Sequence, residues 1–227
     1  WGNQNAINGT TSGTPGFLRH PYTTASASTG IPAVLDALGI APDALQEWKP
    51  YKSVENFFRK GEVRNTNLNV RGASADGTVS YNINYGNLSD EGFTPGNKLS
   101  RNTLSFGGNA KLSNKFSING TLNYTGTKFK SPPVAAGYGS NVGGDGASIF
   151  ANVFYTPRSV DLMGQPFQNP VTGESIYYRQ NNSIQNPLWT VANASNSQMV
   201  NRVFGGAAIN YEINDNLNAS YRYGIDV

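Results

Sequence analysis

From Thr78 to Tyr85 the chain alternates without a break, with Val79, Tyr81, Ile83 and Tyr85 on one side and Thr78, Ser80, Asn82 and Asn84 on the other. Successive side chains of a strand point to opposite faces, so this period of two predicts a strand with one apolar and one hydrogen-bonding face. The period returns at Leu104, Phe106, Ala110 and Leu112, opposed by Ser105, Gly107, Asn109 and Lys111. After the turn residues Ser113-Asn114-Lys115 it resumes, with Phe116, Ile118, Leu122 and Tyr124 against Ser117, Asn119, Thr121 and Asn123. Near the C-terminus Val203, Ala207, Ile209, Tyr211 and Ile213 lead into Asn214-Asp215-Asn216, and Leu217, Ala219, Tyr221, Tyr223 and Ile225 follow. Upstream, Leu68 and Val70 lie between Asn67, Asn69 and Arg71. The pattern predicts an all-β, antiparallel chain of about six strands.

The connections alternate in length. Tight turns are predicted at Ala73 to Gly77, Ser113 to Lys115 and Asn214 to Asn216; a longer loop runs from Leu88 to Ser100, and a long one from about Gly126 to Met199. Transmembrane barrels alternate short periplasmic turns with long external loops, and ten tilted residues rise on the order of 23 Å, near the height of an outer-membrane apolar band. The implied organisation is an external loop region over residues 1–65, then barrel strands over 66–227 with one long external loop at about 126–199. Short helices are expected in the loops: Pro32 to Leu38, stopped by Gly39; Pro42 toward Trp48; and Ala147 to Tyr155, ended by Pro157.

Period alone fits a half-buried soluble sandwich as well as a barrel. Composition separates them. Only 14% of residues are charged and 26 are Gly, and the face opposite the apolar one is Asn, Ser, Thr and Gly rather than the Lys and Glu of a water-exposed sheet. Tyr85, Tyr124 and Tyr223 near strand ends suit an interfacial aromatic girdle. The charge of +3, from 17 basic and 14 acidic residues without a basic stripe, gives nucleic acid no purchase. With no cysteine, disulfides and thiolate metal sites are excluded, and the single His20 makes no metal site. No run of about 20 apolar residues offers a membrane helix, which leaves strands untouched.

Candidate chemistry is sparse. The tract Gly137 to Gly144 has Val142 where a dinucleotide fingerprint needs its third glycine, so it reads as a loop. Asp43, Glu47, Glu55, Asp90 and Glu91 are the nearest approach to a glycosidase pair, but they sit at expected helix starts and turns. Asn82, Asn84, Ser105, Asn109, Asn119 and Asn123 are the expected pore-lining residues. Trp48, Tyr138, Tyr155, Tyr177, Tyr178 and Trp189 lie in the expected external loops, where they stack on a substrate or partner or else pack loop against loop.

The ordered set of short phrases resembles the early barrel of SusC/RagA-type TonB-dependent transporters of Bacteroidetes. It runs from Phe57, Phe58 and Gly61, through Asn67-Leu68-Asn69-Val70-Arg71-Gly72 and Asp90-Glu91-Gly92, to Arg101-Asn102 and Lys111-Leu112-Ser113. Asn186-Pro187-Leu188-Trp189 and Arg222-Tyr223-Gly224-Ile225-Asp226 continue it in order. The match covers about Val54 to Val227. The resemblance implies a segment of a barrel of about 22 strands in the outer membrane of a Gram-negative bacterium, importing oligosaccharides or peptides. It further implies no catalysis or cofactor, a plug domain outside this chain through which TonB acts, and a SusD-like surface lipoprotein as partner. Contact with membrane lipid or lipopolysaccharide and a dimer of transporter–lipoprotein pairs are implied as well. Two other classes stay open: a soluble or surface-attached β-sandwich that binds glycans, and a carbohydrate-active enzyme using Glu47, Glu55, Asp90 and Glu91.

Overall fold

The computed structural model describes residues 16–23, 31–133, 149–178 and 184–227. Two short strands, β1 (Phe17–Arg19) and β2 (Leu45–Glu47), pair with each other. Six long strands follow: β3 (Glu62–Ala73), β4 (Val79–Glu91), β5 (Lys98–Lys111), β6 (Phe116–Ser131), β7 (Asn196–Asn214) and β8 (Leu217–Asp226). They form one sheet in sequence order, the plain up-and-down topology, so the chain is all-β and antiparallel. Three short helices, α1 (Ser53–Phe57), α2 (Ile149–Phe154) and α3 (Pro187–Asn193), lie outside the sheet.

All six expected strands are present, and β3 to β7 run further than the hydrophobic period reaches. β4 continues past Tyr85 to Glu91 and β6 past Tyr124 to Ser131, because ladder hydrogen bonds propagate through Asn, Ser and charged residues that carry no period-two signal. The 66–227 boundary therefore shifts, with β3 beginning at Glu62, and the connection expected at Leu88 to Ser100 shrinks to residues 92–97. At Ser74 to Thr78 the tight turn is organised by Asp76, whose carboxylate accepts from the Ser74 hydroxyl (2.5 Å) and from the Thr78 backbone N–H (3.1 Å). Those bonds favour the ionised form and hold its pKa down to about 2. Gly77 closes the turn at φ +68°, a left-handed conformation that glycine adopts without strain.

The register stacks the sheet into rows. Val70, Ile83, Phe106 and Leu122 form one row, and Leu68, Tyr85, Leu104 and Tyr124 form the next on the same face. Between these rows, pointing the other way, lies Asn69, Asn84, Ser105 and Asn123. Beyond the Tyr85 row the pattern inverts. The face that was apolar now shows Thr66, Asn87 and Asn102, then Arg64, Ser89, Ser100 and Lys128, while the opposite face gains Leu88 and then Val63, Leu99 and Phe129.

The chain divides into two compact units, one comprising residues 1–60, 92–97 and 131–196, the other holding the six-stranded sheet. The buried core belongs wholly to the first: Tyr22, Ile31, Phe57, Ile149, Val153, Val160, Leu162, Ile176, Tyr177 and Tyr178. The loop segments of this unit share one hydrophobic core. Within it α2 forms as expected, whereas the helix expected from Pro32 to Leu38 is only a 3-10 turn over Pro32–Val34, followed by turn residues up to Gly39 (φ +70°). The helix expected from Pro42 to Trp48 is absent. That stretch is β2, because pairing with β1 and the Gln46 amide, donating to the Ser159 carbonyl (2.9 Å), override a weak local helix preference. α3 opens with Pro187 at its first position and Asn186 as N-cap, its side chain accepting from Leu188 N–H (3.0 Å).

The sheet has no second layer among the described residues, and of its strand residues only Ser131 is buried. Strands β6 and β7 approach closely at Gly205, where a Cβ would fall inside contact distance of the Thr121 carbonyl oxygen and 3.0 Å from Leu122 Cα. Gly205→Ala is expected to cost about 1–3 kcal/mol through forced separation of these strands, whereas Gly107→Ala, with its nearest neighbour at 3.9 Å, costs much less. Denaturant titration of both variants checks this, and equal stability removes the close-approach argument.

Candidate functional site

The six residues expected to line a pore, Asn82, Asn84, Ser105, Asn109, Asn119 and Asn123, fall on one face of the sheet. They sit in three successive rows: Asn109 opposite Asn119, then Asn82 one step along, then Asn84, Ser105 and Asn123. The side chains bond across strands. Asn69 Nδ2 donates to Asn82 Oδ1 (2.7 Å) and to Asn84 Oδ1, and Asn109 Nδ2 donates to Ser80 Oγ (2.7 Å). An amide is donor and acceptor at once, so neighbouring amides satisfy one another and still present groups to a hydrated solute.

This face holds a concavity of about 1030 Å³, with Asn82, Asn109, Asn119 and Asn210 on its walls and Arg71 and Arg222 among its lining. Reading the sequence passed over both arginines. The signal was available, because Arg71 follows Val70, and Arg222 lies between Tyr221 and Tyr223, on the polar side of the alternation. The opposite face carries an apolar hollow of about 510 Å³ walled by Phe106, Ile118, Leu122, Tyr223 and Ile225. Its depth comes from Gly108, Gly120 and Gly205. Tyr85 and Tyr124, together at the edge of the apolar band, donate their hydroxyls to Asn102 Oδ1 (3.2 Å) and Asn201 Oδ1 (3.0 Å). Rings toward the apolar rows and hydroxyls toward the polar ones is the arrangement expected at an interface. Tyr223, expected with them, lies instead opposite Ala207 and beside the hollow.

The loop aromatics are not brought together. Trp48 and Tyr155 are exposed, Trp189 is half-buried with its indole N–H donating to the Gly173 carbonyl (2.9 Å), and Tyr138 lies outside the described residues. Tyr177 and Tyr178 are a correction to any substrate-platform role. Both are buried, their rings edge to face at 4.6 Å, and the Tyr177 hydroxyl donates to the Asn152 carbonyl (2.9 Å). Burial pushes the Tyr177 hydroxyl up to about 12 and raises Tyr178 as well. They pack loop to loop because a Tyr-Tyr pair buries a large apolar area while its polar tips find partners. A cluster not anticipated from sequence gathers Phe93 (5.6 Å), Phe150 (5.4 Å) and Phe154 (6.2 Å) around Phe58.

The carboxylates weighed for glycoside cleavage are engaged separately. Glu47 pairs with Lys49 (3.4 Å), Glu55 with Lys52 (2.9 Å) and Glu91 with Lys98 (3.1 Å). By strand alternation, Asp90 points to the opposite face from Glu91. Among the described residues no group of three or more His, Asp or Glu side chains converges as a metal site. No protein-family model matches the chain, and no curated protein matches it.

His20 is half-buried, its Nδ1 accepting from Tyr22 N–H (3.2 Å), rather than free in solvent. Desolvation lowers its pKa below 6.5. A base whose folded pKa lies below its unfolded value adds stability in full above the unfolded pKa and loses it as pH falls from there toward the folded one. The loop unit is therefore expected to become more open to proteolysis below about pH 6.5, and His20→Gln flattens that dependence. An unchanged pH profile in the variant refutes the role of His20. Tyr178→Ala is expected to destabilise the same unit by about 3–5 kcal/mol, with little effect from Tyr155→Ala. Comparable losses in a denaturation series sink the core assignment of Tyr178.

Proposed function

We propose that this chain is part of the wall of an outer-membrane β-barrel importer, with the apolar rows against lipid and the asparagine rows toward a wet interior. The observation that carries the reading is the apolar band itself. It occupies one face of a single-layered sheet, has nothing over it among the described residues, and ends at the Asn87 row, past which polar residues take its place. From Phe116 to Tyr124 the band spans nine residues of β6, eight steps along the strand. That is roughly 26 Å along the strand and roughly 20 Å after tilting, close to an outer-membrane apolar band.

Six strands leave β3 and β8 with unpaired edges, and in lipid every backbone N–H and C=O needs a partner. The wall is therefore completed by strands of a larger barrel, of about 22 strands if the likeness to SusC/RagA-type transporters is followed. That likeness also supports a nutrient substrate, an oligosaccharide or peptide, a TonB-coupled plug, a surface lipoprotein partner and a Gram-negative outer membrane. A soluble sandwich would need a second sheet over Tyr85, Phe106 and Leu122. An importer wall should instead require detergent or membrane for solubility, and a monodisperse preparation in plain buffer ends this reading.

Substitution by arginine tests the wall directly. Ile83→Arg and Leu122→Arg are each expected to cost about 2–4 kcal/mol for folding into vesicles, with Asn82→Arg nearly neutral. If Ile83 and Asn82 tolerate arginine equally, the assignment of faces is wrong.

A further inference from the structure

We infer that the polar face carries a seat for an acidic oligosaccharide, with Arg71 and Arg222 holding its carboxylates. The inference rests on the importer reading and names the chemical class of the solute.

Arg71 of β3 and Arg222 of β8 both line the 1030 Å³ concavity, and no Asp, Glu or Lys lines it with them. Two other arginines of the sheet have carboxylate partners, Arg64 with Glu62 (2.6 Å) and Arg202 with Asp226 (2.5 Å), while Arg101 on β5 lies outside the concavity. Arg71 and Arg222 have no such partner among the described residues. The hollow thus presents two positive charges and no negative one. A guanidinium is a planar fork of donors that matches a carboxylate in bidentate fashion, so the complement it selects is an oxyanion.

The geometry between the arginines narrows the ligand further. β3 and β8 are the two edge strands of the sheet, yet Arg71 and Arg222 line one hollow. A ligand that fills the hollow and carries acidic groups at two places can meet both. The walls between are amides of Asn82, Asn109, Asn119 and Asn210. Each amide donates and accepts, which is the complement of sugar hydroxyls that do the same. Gly107 and Gly206 also line the hollow, and by lacking side chains they let an extended chain lie close to the backbone.

The test uses the full-length protein that carries this chain, in detergent, titrated calorimetrically with tetragalacturonate, neutral maltotetraose and a tetra-aspartate peptide. Tetragalacturonate is expected to bind at least about tenfold more tightly than maltotetraose, a preference that salt erodes. R71Q/R222Q should bring that ratio to about one with thermal stability unchanged, while Lys111→Gln, on the same face outside the concavity, keeps it. Equal affinity for the two sugars in the unmodified protein, or a preference that survives R71Q/R222Q, overturns the proposal. Tighter binding of the peptide overturns the sugar assignment. A protein that needs detergent yet shows no acid preference sinks this inference alone; a protein soluble without detergent removes the importer reading beneath it.

Discussion

The six-stranded sheet has two faces that differ in polarity, and the proposed reading of the chain depends on that constraint. Tyr85, Leu104, Phe106, Leu122, Tyr124 and Tyr223 are exposed on one face. Fully burying a large apolar side chain contributes about 1.5–3 kcal/mol. At roughly half exposure, six such residues left in water forgo about 5–9 kcal/mol, comparable to the whole stability of an ordinary domain. Some apolar phase must cover them. The buried hydrophobic core, around Tyr22, Ile149, Val153 and Tyr177, belongs to the other compact unit.

The same constraint explains the polar face. Asn, Ser and Thr give hydrogen bonds in both directions without bringing charges that would need partners in a confined space. Asn69 bonding to Asn82 and Asn84 ties β3 to β4 through side chains as well as backbone. Against this neutral background, arginines left without carboxylates are conspicuous, since each brings a charge that only an incoming anion or water can answer.

How much of this was legible depends on whether local sequence or tertiary packing decided the outcome. The six strands, their order and the two-faced character came straight from alternation, because register by two is a local property that the ladder merely propagates. Strand ends were not legible: past Tyr85 the residues Asn87 and Ser89 lack an apolar partner phase on that side, so no contrast marks them. β2 was misread as a helix because its pairing with β1 is set more than twenty residues away. Tyr177 and Tyr178 left two readings open, a ligand platform or loop packing, because an aromatic pair in a loop has the same sequence signature whether it faces solvent or a core. Only the packing of α2 and the buried Ile176 around them decides the matter.

The inversion beyond the Tyr85 row supports the proposed wall over an ordinary half-buried sheet. A sheet covered on one face by another layer keeps the same face apolar along its length, since the covering layer is continuous. Here Leu88, then Val63, Leu99 and Phe129, appear beside Arg101 and Asp90 on the face that Asn69, Asn84 and Asn123 occupy lower down, while Arg64, Lys98, Lys128 and Lys130 take the other. That exchange is required of a strand leaving hydrocarbon for water: its outer side must become charged, and its inner side can now bury apolar groups. On the proposed wall, such a change of face along β4 and its neighbours is what passage from hydrocarbon to water would produce, and the Asn87 row would mark the boundary.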